Sequence, residues 1–285
     1  MTHSDFDRES MLELIGLIKD IPTLPDRFLR IQHVIEDSAS SVADLIETIH
    51  TDQATCTMIL KVANSTARNP SGRTISTLSQ AISLLGRKEV GYISLSMSLM
   101  YGFALPMGMA HVRAFWVHAF GTAMITEFLA RRVDPGGTRI NDKVAFMAGL
   151  LHDIGRAVIG LRVDISYFES QLIQLHGDEL IAAEQQSYGI DHAKVGAYTL
   201  ALWNFPPELV DAVAGHHQAD SDNILAQMIR IACRLTHEHI PYDLQIEAVP
   251  AFLQTMLPEA ITPELIVELA LVGTADSSHG TPVNA

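Results

Sequence analysis

Five histidines and one aspartate in this sequence have the residue types from which metal sites are built. They are His118, His152, Asp153, His192, His216 and His217, and all but the two adjacent pairs are far apart along the chain. Neutral imidazole nitrogens and carboxylate oxygens suit zinc, manganese or iron. A metal ion bound by them would lower the pKa of a bound water and polarise a phosphoryl oxygen. Folding would have to bring these residues together.

These residues also have simpler explanations. His118 fits a core histidine, and His192 follows Asp191, a possible helix cap, which suits a structural role. Taken in isolation, the His152-Asp153 pair is better explained as a hydrogen-bonded pair at the end of a helix without a metal. Adjacent residues face different ways on a continuous helix, so at most one of His216 and His217 reaches a common pocket unless the helix ends there. Cys233 is most simply a small buried apolar residue.

The elements that must position these residues are helices. Apolar residues recur at helical spacing, no run alternates as a strand does, and the pattern predicts an all-α fold. Ser41, Asp52 and Thr77 are predicted N-caps, and Gly86 a helix end. After an apolar stripe at 11–18, helices are predicted over 109–133, from Asn141 through His152, and over 165–176, 179–188, 192–203, 207–216, 224–238 and 243–256.

Composition narrows the functional classes. The 285 residues carry a net charge of −14, and a surface this acidic repels nucleic acid and anionic lipid, so neither is expected as a partner. Two cysteines imply no disulfide framework and a reducing cytoplasm as the compartment. The uncharged stretch 90–110 is long enough to span a bilayer, but its alternating serines and its glycines favour a buried helix followed by a turn.

Several segments resemble a known superfamily. FWVH (115–118), GLLHDIGR (149–156), DHAKVGA (191–197) and GHH (215–217) resemble the HD metal-dependent phosphohydrolases. In the first half, IPTLP (21–25), TDQA (51–54), LKVANS (60–65) and ISTLSQAISLLG (75–86) resemble the HDOD family. This second resemblance covers about residues 15–240. HDOD domains are all-helical relatives of the HD hydrolases, and they are regarded as output or interaction modules of bacterial signalling proteins without an established common activity.

The resemblance implies a multi-helix HDOD-like bundle in two parts. We expect an N-terminal helical subdomain over 15–106 and an HD-like helical subdomain over 107–240. An extension over 1–14 precedes them, and C-terminal helices with a flexible tail follow over 241–285.

The chain departs from the hydrolase pattern at three places. HD hydrolases complete their ligand set with an aspartate on a late helix, and the matching residue here is Cys233. The branch that cleaves cyclic dinucleotides places a glutamate one turn before the first histidine, and Ala114 stands here instead. That branch follows its paired histidines with Gly-Tyr-Pro, whereas HHQAD stands at 216–220.

We therefore expect a non-catalytic, cytoplasmic signal-transduction module that contacts other signalling proteins and has a degenerate metal site. The resemblance implies His118, His152, Asp153, His192 and His217 as ligands of iron, manganese or zinc. The alternative is a metal-dependent phosphohydrolase or phosphodiesterase acting on a nucleotide or cyclic nucleotide, with His152 and Asp153 as its catalytic residues. A homo-oligomer is left open.

Overall fold

The computed structural model describes residues 23–64, 69, 71–103, 105, 108–241, 244, 248–266 and 269. These residues form helices and turns with no β-strand among them, which confirms the all-α prediction. The predicted stripe at 11–18 and the tail lie outside this range. The chain divides into two compact units. The first unit comprises Pro22–Phe120 and Ile240–Met256, and the second comprises Gly121–His239 together with the described residues after 256. The predicted subdomain limits stay predictions.

Three helices of the first unit begin at capping side chains. This unit contains α1 (Asp26–Glu36), α2 (Val42–Ile49), α3 (Gln53–Ala63), α4 (Leu78–Leu85), α5 (Arg87–Gly102) and the first part of α6 (Met109–Val133). Ser41 and Thr77 each form a reciprocal capping box, and the Asp52 carboxylate accepts from the backbone N–H of Ala54. The three predicted N-caps are therefore confirmed.

The uncharged stretch that begins at Val90 is a helix of the core. In α5 every residue from Val90 to Leu99 is buried, and the hydroxyls of Ser94, Ser96 and Ser98 donate to backbone carbonyls of the same helix. Another segment, Asp142–Val163, is long and apolar enough to cross a membrane by length and composition, but its most apolar window is 89% buried within the protein. Both segments therefore serve as core.

The second unit contains the rest of α6 and the helices that carry the candidate ligands. These are α7 (Asp142–Leu151), α8 (Ile154–Val158), α9 (Gly177–Tyr188), α10 (His192–Leu202), α11 (Pro207–Gly215) and α12 (Ile224–His239). A π-helical turn, Ile159–Val163, and two 3₁₀ turns, Ile165–Glu169 and Gln171–Gln174, connect α8 to α9. A further helix, α13 (Val249–Ala260), follows α12 in the chain.

The predicted helix over 165–176 is wrong. The segment forms two short 3₁₀ turns because polar side chains take its backbone donors. The Asp164 carboxylate accepts from the N–H of Ser166, and the Ser170 hydroxyl accepts from that of Leu172. Aspartate and serine offer the backbone this alternative to a continuous helix. The segment between α8 and α9 is consequently a bent connection.

Small residues allow close helix contacts in the second unit. A Cβ atom at Gly149 of α7 would lie 2.7 Å from the Cα of Ala123 in α6. The hydroxyl of Thr122 in α6 lies 3.2 Å from that of Thr236 in α12. These contacts fix the end of α7, where His152 follows.

A buried carboxylate organises the turn between α6 and α7. Asp134 Oδ2 accepts from the backbone N–H groups of Arg139 (2.6 Å) and Ile140 (2.9 Å), and Oδ1 accepts from Thr138 Oγ1 (3.2 Å). The two backbone N–H groups lower the pKa of Asp134 below its usual value. The turn is therefore more stable with the carboxylate ionised.

We expect Asp134→Asn to lower the melting temperature at neutral pH, because a neutral amide replaces an ionised acceptor. A lowered folded-state pKa contributes stability above the unfolded-state pKa, and this contribution is lost as the pH falls through the folded-state value. The difference between wild type and variant should therefore shrink in acid. Thermal unfolding between about pH 7 and pH 3 measures it, with Asp220→Asn, an exposed carboxylate, as the control. A difference that does not depend on pH would contradict this account.

Candidate metal centre

Four histidine side chains from three segments of the chain lie around Asp153. Asp153 Oδ1 lies 3.4 Å from His152 Nε2, 3.2 Å from His192 Nε2 and 4.0 Å from His216 Nε2. His217 Nε2 lies 3.0 Å from His192 Nε2. Asp153, His192, His216 and His217 each offer a ligand atom within 4.8 Å of the others, so the group could hold a metal ion. We call His152, Asp153, His192, His216 and His217 the Asp153 centre.

Breaks in the helices produce this convergence. His152 ends α7, and the backbone at Asp153 (φ −97°, ψ 7°) turns the chain into α8. The carboxylate of Asp191 caps α10 at Lys194, so His192 is the first residue of that helix. Helix α11 ends at Gly215, and both His216 and His217 therefore face the centre although they are adjacent. The predicted limit of one histidine from this pair does not apply, because the helix has ended.

The second ring nitrogen of each buried histidine is held by an acceptor. His152 Nδ1 donates to the Gly149 carbonyl at 2.8 Å, and His216 Nδ1 donates to the Val213 carbonyl at 2.6 Å. His192 Nδ1 lies 2.7 Å from the Glu184 carboxylate. Carbonyl and carboxylate oxygens only accept, so each Nδ1 carries the hydrogen. In the neutral rings this leaves the Nε2 lone pair facing the centre, the tautomer that metal-ligating histidines adopt.

Two of these rings are neutral. Burial lowers the pKa of His152, and burial together with the neighbouring histidines holds that of His216 well below its usual value. His216 Nε2 is buried and has no hydrogen-bond partner among the residues that the structure describes. Neutral imidazole lone pairs thus face an ionised carboxylate, an arrangement that a cation between them would stabilise. The donor set fits a divalent metal.

The pKa values of Asp153, His192 and His217 determine the other charges of the centre. Although burial opposes it, the neighbouring His152 and His192 hold the pKa of Asp153 well below its usual range. Burial also opposes protonation of His192, but hydrogen bonds to Asp153 and Glu184 raise its pKa to about 9. Burial, followed by the nearby His192, lowers the pKa of His217 to about 3. In the metal-free protein His192 is therefore a cation between two carboxylates.

A buried hydrogen-bond network links Asp153 to His192 through side chains that the sequence did not indicate. Arg156 Nη1 lies 3.4 Å from Asp153 Oδ2, and Arg156 Nε donates to the Tyr167 hydroxyl at 3.0 Å. The Tyr167 hydroxyl donates to Glu184 Oε1 at 2.7 Å. We call Arg156, Tyr167 and Glu184 the Arg156 network. Arg156 Nη2 also donates to the backbone carbonyl of Ile173, at 3.1 Å.

The structure brings together four of the five predicted ligands. These are His152, Asp153, His192 and His217, and the structure adds His216, which was left out of the predicted set. The fifth predicted ligand, His118, is a half-buried residue of α6 within the first unit, so its role as a ligand stays a prediction.

Cys233, on α12, lies beside the Asp153 centre. Its sulfur is within 4.8 Å of a ring nitrogen of His152, and burial raises the pKa of its thiol. The departure from the hydrolase pattern at this position therefore places a neutral thiol next to the centre.

The residues missed by sequence reasoning gave weak signals. Arg156 follows Asp153 by three positions, which places both near one face of the chain as it enters α8. Glu184 is eight residues before His192, on a different helix, and no periodic pattern connects two helices. Only the packing of α9 against the start of α10 shows that they touch.

The comparisons with known proteins agree with this architecture. The family model described as "HDOD domain" matches residues 21–219. An uncharacterized protein of Treponema pallidum (strain Nichols) is 28% identical over 209 residues, which are 70% of this chain. The chain spans only 38% of the length of that relative.

Two solved structures have a similar fold. An HDOD domain protein from Geobacter sulfurreducens matches with a TM-score of 0.66 and 22% identity over 92% of this chain and 99% of that one. The protein called "Putative phosphohydrolase" from Shewanella amazonensis SB2B matches with a TM-score of 0.63 and 22% identity over 92% of this chain and 94% of that one. At these identities the likeness concerns the fold alone.

We expect Gly155→Ala to destabilise the second unit by roughly 3 kcal/mol, because an added Cβ must displace backbone. That Cβ would lie 1.9 Å from the His192 carbonyl oxygen and 2.7 Å from the backbone nitrogen of Gly196. Chemical denaturation measures the change. Gly136→Ala is the control, since its Cβ would meet only Thr138 at an ordinary 3.5 Å. If the two variants unfold at the same denaturant concentration, the close approach of α8 to α10 is wrong.

Proposed function

Because this chain belongs to the HDOD family, we propose that it is a cytoplasmic regulatory module that binds a divalent metal ion at the Asp153 centre and acts through protein–protein contact, without hydrolase activity. The observation that carries the metal binding is the convergence of imidazole Nε2 atoms on Asp153 Oδ1. His152, Asp153, His192, His216 and His217 would hold the ion. A bound ion would supply Lewis acidity and connect the ends of α7 and α11 with the start of α10.

The charges around Asp153 support a regulatory role over a catalytic one. Arg156 is buried, and its guanidinium faces the second oxygen of Asp153. A permanent positive charge at this place repels an incoming cation and offsets part of the charge of its one carboxylate ligand. A centre with this reduced negative charge suits one ion that joins segments of the protein better than a pair of catalytic ions.

The ligand set supports the same proposal. Where the hydrolases that this chain resembles have a further aspartate, Cys233 presents a neutral thiol. Ala114 likewise provides no carboxylate where the cyclic-dinucleotide branch has glutamate. With a single carboxylate in the Asp153 centre, the site has less negative charge with which to hold two metal ions and a phosphate ester. Binding of one ion through imidazoles remains well supported.

We expect the purified full chain to bind manganese, iron or zinc. Asp153→Asn should lose metal binding, because the amide keeps the shape of the side chain but removes the anionic ligand. Elemental analysis after dialysis and a metal-dependent rise in melting temperature are the measurements. His33→Gln, an exposed histidine outside the centre, controls for nonspecific histidine binding. A wild-type protein that neither contains nor takes up any of the three metals would rule out metal binding.

We expect the metal-loaded protein to show no hydrolysis of a phosphodiester or a cyclic dinucleotide above a metal-containing buffer. The measurement is product formation with bis(p-nitrophenyl) phosphate and with a cyclic dinucleotide, each with manganese, iron and zinc. The alternative function, a metal-dependent phosphohydrolase, shares the cluster of histidines around Asp153 and would be established by turnover that Asp153→Asn abolishes. Turnover that this variant retains would indicate a contaminating enzyme.

A further inference from the structure

Glu184 is a fully buried carboxylate on a helix that is otherwise mostly exposed. In α9 only Leu180 and Glu184 are buried. Burial of an ionised carboxylate is costly unless hydrogen bonds compensate it. Glu184 Oε2 accepts from the backbone N–H of His192 at 2.8 Å and lies 2.7 Å from His192 Nδ1. Both bonds go to one residue, so Glu184 fixes the position and the ring orientation of His192.

A negative charge at Glu184 is not needed to hold His192 in place. A glutamine has the same shape, and its carbonyl oxygen could accept both hydrogen bonds from His192 without the cost of burying a charge. What the carboxylate adds is electrostatic: a negative charge at Nδ1 makes the opposite nitrogen, Nε2, a stronger donor of electrons to a metal. Nε2 is the atom that faces Asp153, at 3.2 Å. Glu184 and Asp153 therefore act on opposite sides of one imidazole ring.

The rest of the Arg156 network keeps Glu184 in this orientation. The Tyr167 hydroxyl occupies Glu184 Oε1, which leaves Oε2 for His192. Burial raises the pKa of Tyr167, so the phenol keeps its proton and remains a donor to Glu184. Arg156 Nε donates to the same hydroxyl, and the guanidinium also faces Asp153. The two carboxylates beside His192 are thus joined by one arginine–tyrosine bridge.

We propose that Glu184 is a positioning residue that strengthens metal binding by the Asp153 centre through His192, and that Tyr167 and Arg156 hold Glu184 in place. The metal-affinity part rests on the proposed function, whereas the positioning of His192 exists in the metal-free protein. Glu184 is expected to act without touching the ion.

The first measurement is metal affinity. The dissociation constant of Mn²⁺ or Zn²⁺ is obtained by competition with a chelator for the full-length wild type, Glu184→Gln and Glu179→Gln. Glu179 is an exposed glutamate of the same helix and serves as the matched control. Loss of outer-shell partners of this kind weakens metal binding about 10-fold to 100-fold. We expect at least about 10-fold for Glu184→Gln and no change for Glu179→Gln. Equal affinities in all three proteins would overturn the proposed effect on affinity.

The second measurement needs no metal. In ¹H–¹⁵N spectra of the metal-free wild type, the His192 Nδ1 proton should be observed as a downfield, slowly exchanging signal, because it is buried in a hydrogen bond to a carboxylate. Glu184→Gln should shift it upfield while the circular dichroism spectrum stays native. An unchanged signal would overturn the positioning role. If this signal behaves as expected and the wild type binds no metal, the positioning of His192 stands and the proposed function fails.

Tyr167→Phe provides a second variant in case Glu184→Gln does not fold. It removes the hydroxyl between Arg156 and Glu184 and leaves both charged residues in the chain. We expect a smaller loss of metal affinity and a broadened His192 Nδ1 signal, since Glu184 would no longer be held in one orientation. Wild-type affinity together with a wild-type signal in this variant would exclude the role of Tyr167.

Discussion

The structure of the second unit depends on one constraint: three buried imidazole rings direct the same nitrogen, Nε2, towards the carboxylate of Asp153. Each ring is fixed at Nδ1 by an acceptor, either a carbonyl from the preceding helical turn or Glu184. The carbonyl bonds exist because His152 and His216 directly follow the last residues of α7 and α11. The helix ends thus determine the tautomer, and the tautomer determines which atom faces the centre.

The close packing of α8 and α10 brings these helix ends together. At Gly155 the backbone of α8 approaches the carbonyl of His192 so closely that no side chain would fit. Gly155 lies two residues after Asp153, and His192 is itself a residue of the centre, so the contact acts directly on the position of the centre's side chains. The bent connection between α8 and α9 then brings Tyr167 back beneath Arg156. The connection is part of the site because the Tyr167 hydroxyl and the backbone carbonyl of Ile173 accept hydrogen bonds from the buried Arg156 guanidinium.

The Arg156 network distinguishes this centre from a plain cluster of ligands. Asp153 and Glu184 carry negative charge, and Arg156 and the protonated His192 balance it in the metal-free protein. A buried network of paired charges is stable only when every member has partners, so the arrangement favours a single geometry. A site with such balanced charges can persist without a metal. That property suits the regulatory role that we propose.

The sequence by itself determined the all-α fold, the N-caps at Ser41, Asp52 and Thr77, and most residues of the Asp153 centre. These are local properties, because periodicity, capping and motif spacing depend on residues within a few turns of one another. The sequence did not determine that the chain bends after Asp164, that both His216 and His217 face the centre, or that Glu184, Tyr167 and Arg156 surround it. Those outcomes depend on where helices end and on which buried charges find partners across different segments. Only the tertiary structure decides them, because a buried polar group is paired by whatever the packing places beside it.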